Sequence, residues 1–109
     1  MAVGFSNGAN TAAAMLLLRP EILSGAILMR TTVPLEPEQE PDLTGVPVLI
    51  LSGSADPMVA PGKPDHLARL LANAGANVTH EVLQAGHGLT GQDVGIATAW
   101  LSSHAKAAA

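Results

Sequence analysis

The sequence predicts a three-layer α/β/α fold with a short parallel sheet, and two observations lead to that prediction. Short apolar segments of strand length alternate along the chain with longer Ala- and Leu-rich segments of helical composition. The most apolar strand segment, residues 46–52 (VPVLILS), is nearly continuous in aliphatic residues, as in parallel strands covered on both faces. Strands that alternate with helices pair in parallel and carry helices on both faces of the sheet.

Local signals delimit each element. The predicted strands cover residues 1–5, 25–30, 46–52 and 78–83. The predicted helices cover residues 7–18, 65–73 and 92–104, and the last has Val94, Ala97, Trp100 and Leu101 as its apolar stripe. Pro20 ends the first helix and Gly75 the second. Residues 31–45 mix prolines with acidic residues, which predicts an exposed loop.

Composition excludes several classes of protein. The chain has 109 residues and is expected to form a single domain over residues 1–109. It contains no cysteine, so it has no disulfide, thiolate metal site or cysteine nucleophile. A net charge of −4 argues against a nucleic-acid partner. No stretch is apolar for long enough to span a membrane, and no signal peptide is visible, so we expect a cytoplasmic protein.

A serine stands where a strand is predicted to turn into a helix. Gly4-Phe5-Ser6-Asn7-Gly8 matches the pattern G-x-S-x-G, with a predicted strand before it and a helix after it. In this context the serine occupies a tight, strained turn that exposes its hydroxyl. We expect the two glycines to let the strand and the helix approach closely. The alternative is an ordinary glycine-rich turn, which the bare pattern does not exclude.

Two further polar residues follow predicted strands. Asp56 comes soon after residues 46–52, and His87 follows residues 78–83 in a glycine-flanked loop. Ligand chemistry in parallel sheets gathers beyond the carboxyl ends of the strands. Singly, a turn aspartate and an exposed loop histidine are alternatives, but the chain order Ser, Asp, His is that of α/β-hydrolase triads. We expect His66, His80 and His104 to be surface residues, and no metal site is predicted.

Six segments together resemble one protein family. They are GFSNGANTAAAMLL, PEILSGAIL, VPLEP, DLTGVPVLILSGSADPMV, AGANVT and AGHGLT. They are similar to the carboxylesterase/phospholipase branch of the α/β-hydrolases, and to its dienelactone-hydrolase-like esterases in particular. The resemblance covers nearly the whole chain and only the C-terminal half of the family's fold, beginning at the turn that carries the nucleophile.

The resemblance implies a function and roles for the residues. The chain is expected to be a serine carboxylesterase that hydrolyses short-chain esters through an acyl-enzyme and needs no cofactor. Ser6 would be the nucleophile, His87 the general base and Asp56 the residue that orients it. The backbone N–H of Asn7 would stabilise the oxyanion. A pocket for the acyl group would include Met29, Leu35 and Met58, although methionines are more often core residues.

The family's first four strands have no counterpart in this sequence, and neither has the loop that supplies a second oxyanion donor. Losing one such donor typically lowers turnover by about a hundred- to a thousand-fold. A weakly active or inactive module that assembles with its own copies is therefore the alternative function. In either case the first strand would lack a neighbour, which predicts a homodimer or a higher even oligomer.

Overall fold

The computed structural model describes the backbone of residues 1–31 and 36–108, and the side chains of residues 1–31 and 36–104. Four strands and three helices alternate over this part of the chain. The strands are β1 (Ala2–Phe5), β2 (Ala26–Met29), β3 (Pro47–Gly53) and β4 (Asn77–Leu83). The helices are α1 (Asn7–Leu18), α2 (Lys63–Asn73) and α3 (Gly91–Ala108).

All four strands pair in parallel, in the order β1-β2-β3-β4. The predicted fold class, an α/β fold with a short parallel sheet, is confirmed. Because every strand runs in the same direction, all four carboxyl ends lie at the same end of the sheet. Ser6 follows β1, Asp56 follows β3 and His87 follows β4, so the three residues lie at that end.

The sheet separates two apolar clusters, because successive side chains of a strand point to opposite faces. Val48 and Ile50 of β3 belong to the cluster that contains the buried residues of α1 and α2. Leu49 and Leu51 belong to the second cluster, with Trp100 of α3. The continuous apolar run of β3 is thus explained by helices on both sides. The core is aliphatic apart from Trp100.

Two helices differ from their predicted limits. Helix α2 begins two residues earlier than predicted, with Pro64 in its first turn, where the missing N–H of proline costs nothing. Helix α3 continues to Ala108, since alanine has the highest helix propensity.

The predicted apolar stripe of α3 is wrong at Val94, which is 61% exposed. Ile96 packs against the second cluster with Ala97, Trp100 and Leu101.

Strand β1 is an edge strand with exposed apolar side chains. Within the part of the chain that the structure describes, β1 pairs with β2 alone, so its other edge is open. Val3 is 57% exposed and Phe5 is 38% exposed on one face of β1, and Met1 just before the strand is also exposed. An open strand edge beside exposed apolar side chains is a surface that folded proteins normally cover.

Candidate active site

Ser6 sits at the junction of β1 and α1 in a strained backbone conformation. Its φ of 55° and ψ of −112° lie outside the regions that L-residues favour. Such a conformation costs about 1–3 kcal/mol and persists only where the surrounding structure imposes it. Here the Ser6 N–H donates to the Met29 carbonyl at 2.8 Å, and the Ser6 carbonyl accepts the Asn10 N–H at 2.9 Å. These bonds hold the turn from both sides.

The close approach of strand and helix depends on Gly4 and not on Gly8. A Cβ added at Gly4 would lie 2.5 Å from the Gly8 carbonyl carbon and oxygen and 2.6 Å from the Ala9 nitrogen. A Cβ added at Gly8 would meet nothing within 4 Å. The expectation that both glycines permit the approach is therefore wrong for Gly8. Gly4 contacts the backbone of Gly8, whereas a side chain at position 8 would face open space.

The structure brings Ser6, His87 and Asp56 into one chain of hydrogen bonds. The Ser6 Oγ lies 2.9 Å from His87 Nε2, and His87 Nδ1 lies 2.8 Å from Asp56 Oδ2. The Asp56 side chain is 1% exposed and the His87 side chain 24% exposed. The Phe5 ring lies against the imidazole, with ring centroids 5.3 Å apart. This arrangement suits proton transfer between Ser6 and His87, with the carboxylate selecting the tautomer.

The loop that carries Asp56 is joined to the loop that carries His87. Asp56 Oδ1 accepts the Met58 N–H at 2.8 Å, which fixes the carboxylate in its own turn. The Ala55 N–H donates to the Ala85 carbonyl at 3.0 Å. Gly53 permits this approach, because a Cβ there would lie 2.4 Å from the Ala85 oxygen. The distance from Asp56 to His87 is thus set by backbone contacts as well as by the side chains.

A buried ion pair lies beneath the His87 loop, and sequence reasoning missed it. Arg30 follows β2, and its guanidinium donates to the Asp93 carboxylate twice, both at 2.9 Å. Neither side chain is exposed to solvent. The guanidinium also donates to three backbone carbonyls, those of Gly86, Gly88 and Leu51. Gly86 and Gly88 are the two neighbours of His87.

Asp93 also caps α3. Its carboxylate accepts the Thr90 N–H at 2.8 Å and the Thr90 hydroxyl at 2.9 Å, and the Asp93 N–H donates back to Thr90 Oγ1. Burial by itself raises the pKa of Asp93, but the hydrogen bonds from Arg30 and Thr90 outweigh that effect and lower the pKa below its ordinary value. The sequence does contain a signal for this cap, since Thr90-Gly-Gln-Asp93 fits the capping-box spacing.

The other predicted site residues, Asn7, Met29, Leu35 and Met58, differ in their position and exposure. Asn7 is the first residue of α1, where a backbone N–H has no acceptor within the helix. Met29 is 9% exposed and packs in the second apolar cluster, whereas Met58 is 63% exposed. Leu35 lies outside the described residues. The assignment of Met29, Leu35 and Met58 to the substrate remains a prediction.

His80 is not the surface residue that the sequence suggested. Its side chain is 15% exposed, and its Nε2 lies 2.7 Å from Ser52 Oγ. Its Nδ1 lies 3.5 Å from Asp65 Oδ1. The strand register explains this burial, because His80 is paired with Ile50 and faces the same side of the sheet as Ser52. Nowhere in the described part of the chain do three or more His, Asp or Glu residues form a group that could hold a metal ion.

Comparisons with known proteins agree on one class of protein. The crystal structure of a Bacillus cereus carboxylesterase superposes with a TM-score of 0.89 and 38% identity, over 94% of this chain and 49% of that one. A Mesorhizobium loti carboxylesterase gives a TM-score of 0.84 and 35% identity, over 92% and 47%. MhqD of Bacillus subtilis, which is named as a hydrolase, is 38% identical over 92% of this chain and 50% of its own length. No protein-family model matches the chain.

These findings confirm the resemblance that the sequence predicted. The chain has the α/β fold of these relatives and is similar to carboxylesterases. The chain spans about half the length of the relatives it matches, consistent with the C-terminal half of an α/β-hydrolase. Over the residues that the structure describes, no helix has both the length and the apolar character needed to cross a membrane.

The two glycines of the turn around Ser6 give a matched test. Gly4→Ala forces backbone atoms apart, so we expect a loss of several kcal/mol in the free energy of unfolding, at the upper end for single substitutions. Gly8→Ala has space and replaces glycine within a helix, so we expect a gain of about 0.5–1 kcal/mol. Urea unfolding of both variants measures the difference. Equal effects of the two substitutions would contradict the assigned contact.

The lowered pKa of Asp93 predicts how stability depends on pH. Because the folded state favours the ionised carboxylate, its contribution is complete above the unfolded pKa of about 3.9 and is lost as pH falls through the lower folded pKa. Asp93→Asn leaves Arg30 buried without a counter-charge and should cost about 3–5 kcal/mol at pH 7. The difference from wild type should narrow below about pH 4. Thermal unfolding from pH 7 to pH 2.5 tests this, and a constant difference contradicts it.

Proposed function

We propose that this chain carries the catalytic residues of a serine carboxylesterase that acts on short-chain carboxylic esters. The observation that carries the proposal is the hydrogen-bonded series from Ser6 through His87 to Asp56, with contacts of 2.9 and 2.8 Å. The strained conformation of Ser6 supports it, as does the similarity to carboxylesterases at 35–38% identity. A histidine or an aspartate in an ordinary turn would not need the contact between Ser6 and His87 or the contact between His87 and Asp56.

The first half of the reaction would form an acyl-enzyme. His87 Nε2 takes the proton of the Ser6 hydroxyl while the Ser6 oxygen attacks the ester carbonyl carbon. The Asp56 carboxylate accepts the hydrogen bond from His87 Nδ1 and stabilises the imidazolium that forms. The negative charge on the carbonyl oxygen is stabilised by the Asn7 N–H at the start of α1, where the helix dipole also favours an anion. His87 then gives its proton to the leaving alcohol.

The second half would release the acid. A water molecule gives a proton to His87 and attacks the acyl carbon. The resulting intermediate collapses to a carboxylic acid as His87 gives that proton to the Ser6 oxygen. Ser6 and His87 thus end in their starting protonation states, so no cofactor is consumed. For the acyl group we propose contacts near Met29, Leu35 and Met58, of which Met58 is exposed directly after the Asp56 turn.

The alternative function is a weakly active module that assembles with its own copies. The observation that favours assembly is the open edge of β1, with Val3 57% exposed. A two-fold axis lets one such surface meet its own copy. We propose a homodimer or a higher even oligomer, with β1 or α1 at its interface. Assembly is compatible with catalysis, because Ser6 directly follows β1 and a partner chain would lie close to it.

Replacement of the proposed catalytic residues tests the esterase function. Ser6→Ala, His87→Ala and Asp56→Asn should each reduce hydrolysis of p-nitrophenyl acetate to nearly the same residual rate, because the three residues act as a unit. Ser102→Ala, at an exposed serine of α3, is the matched control and should leave the rate unchanged. A fluorophosphonate probe should label the wild-type chain at Ser6. Full activity in Ser6→Ala would falsify the proposal.

Substitutions at the two sheet edges test the assembly. Val3→Lys adds a charge to the exposed face of β1 and should convert the oligomer into a monomer. Thr79→Lys adds the same charge to an exposed position of β4, the other edge strand, and should leave the oligomer intact. Sedimentation velocity at low micromolar concentration distinguishes the species, and the proposed interface should bury roughly 1,000 Å² or more. A stable 11 kDa wild-type monomer would exclude this assembly.

A further inference from the structure

Arg30 shares an unusual backbone feature with the proposed nucleophile. Among the described residues other than glycine, positive φ angles occur at Ser6 and at Arg30, where φ is 56°. A left-handed conformation is unfavourable for a long side chain, and it persists only where the fold requires it. At Arg30 the backbone N–H donates to the Leu51 carbonyl at 2.9 Å, so the end of β2 is held against β3 in this conformation.

Every donor of the Arg30 guanidinium is used. The group has five N–H bonds, and it makes five hydrogen bonds. Nε donates to the Gly86 carbonyl at 2.9 Å, and one N–H of Nη2 donates to the Gly88 carbonyl at 3.3 Å. Nη1 donates to the Leu51 carbonyl at 3.3 Å, and the two remaining N–H groups bind Asp93. No smaller cation can make the same set of contacts.

The contacts with Gly86 and Gly88 hold the backbone on both sides of His87. A glycine-flanked histidine has a wide choice of backbone conformations, so its ring is not positioned by local sequence. The guanidinium holds the carbonyls that precede and follow His87. Asp93, in the first turn of α3, holds the guanidinium. Ser6 and Asp56 contact the ring itself. The ring and its backbone are therefore held by separate groups.

Stability alone does not account for a pair of this kind. Moving two charges into an apolar interior costs about as much as their attraction returns, so apolar side chains of similar size often serve stability equally well. Arg30 also carries the cost of a positive φ. What apolar side chains cannot supply is a set of donors for the carbonyls of Gly86 and Gly88.

We propose that Arg30, fixed by Asp93, is a positioning residue that sets the imidazole of His87 at the distance needed for proton exchange with Ser6. The inference rests on the proposed esterase function. Arg30 does not contact the reacting atoms, because it acts through the backbone of the His87 loop. Displacements of about 1 Å in a catalytic group can lower turnover by about a hundred-fold, so a loosened loop has a measurable effect on rate.

The test removes the charges together and keeps the cap of α3. In Arg30→Met/Asp93→Asn no buried charge is left unpaired, and the Asn side chain still offers an acceptor to Thr90. We expect the variant to remain folded at the assay temperature, with kcat lowered by about ten- to a hundred-fold and KM within about twofold. The control is Arg19→Met/Glu21→Leu, which removes an exposed ion pair and should change none of these quantities.

A second readout does not depend on activity. In ¹⁵N spectra of the imidazole, His87 of the wild type should show one tautomer, with the proton on Nδ1 towards Asp56. In the double variant the loosened loop should let the ring leave Asp56 for part of the time, so the spectrum should show an average of both tautomers. If the double variant does not fold, Arg30→Lys serves the same purpose, since it keeps the charge but has three donors in place of five. Lysine should not restore kcat.

The outcomes separate this inference from the proposed function. A wild-type chain that hydrolyses no ester and is not labelled at Ser6 refutes the proposed function, while the ¹⁵N spectra still test whether Arg30 orders His87. A folded variant with an unchanged His87 spectrum and unchanged kcat overturns the positioning role. A variant that loses kcat only in proportion to its loss of folded protein shows a purely structural pair and overturns it equally.

Discussion

The ion pair between Arg30 and Asp93 connects more parts of this molecule than any single contact around the candidate site. It links the end of β2 with the start of α3. Its guanidinium also donates to the Leu51 carbonyl in β3 and to the carbonyls on both sides of His87. Because both side chains are excluded from water, their mutual hydrogen bonds cannot be replaced by solvent. The loops at the carboxyl ends of the strands are therefore held in one arrangement with respect to each other.

Two glycines provide the space that this arrangement needs. Gly4 lets β1 touch the backbone of α1, and that contact forces the tight turn in which Ser6 is strained. Gly53 lets the end of β3 touch the backbone that precedes His87, so Asp56 and His87 approach within hydrogen-bond distance. In both cases a single methyl group would overlap backbone atoms, which cannot move aside as the end of a flexible side chain can. The geometry of the site thus depends on backbone contacts between neighbouring loops.

The open edge of β1 lies next to the candidate site. Ser6 follows β1, an edge strand whose outer side has no partner among the described residues, and Phe5 of that strand lies against the His87 ring. The relatives are about twice as long as this chain. A chain segment that covered the β1 edge would therefore lie next to Ser6, so the proposed assembly and the proposed catalysis would meet at this point of the structure.

The sequence by itself determined the alternation of strands and helices, the parallel sheet and the positions of Ser6, Asp56 and His87 after strands, because these depend on local periodicity. It did not determine that the approach of β1 to α1 depends on Gly4 and not on Gly8, or that His80 is partly buried and contacts Ser52. Nor did it reveal that Arg30 reaches Asp93, 63 residues away along the chain. These facts depend on which backbones touch across the sheet, and such distances are fixed only when the elements pack together.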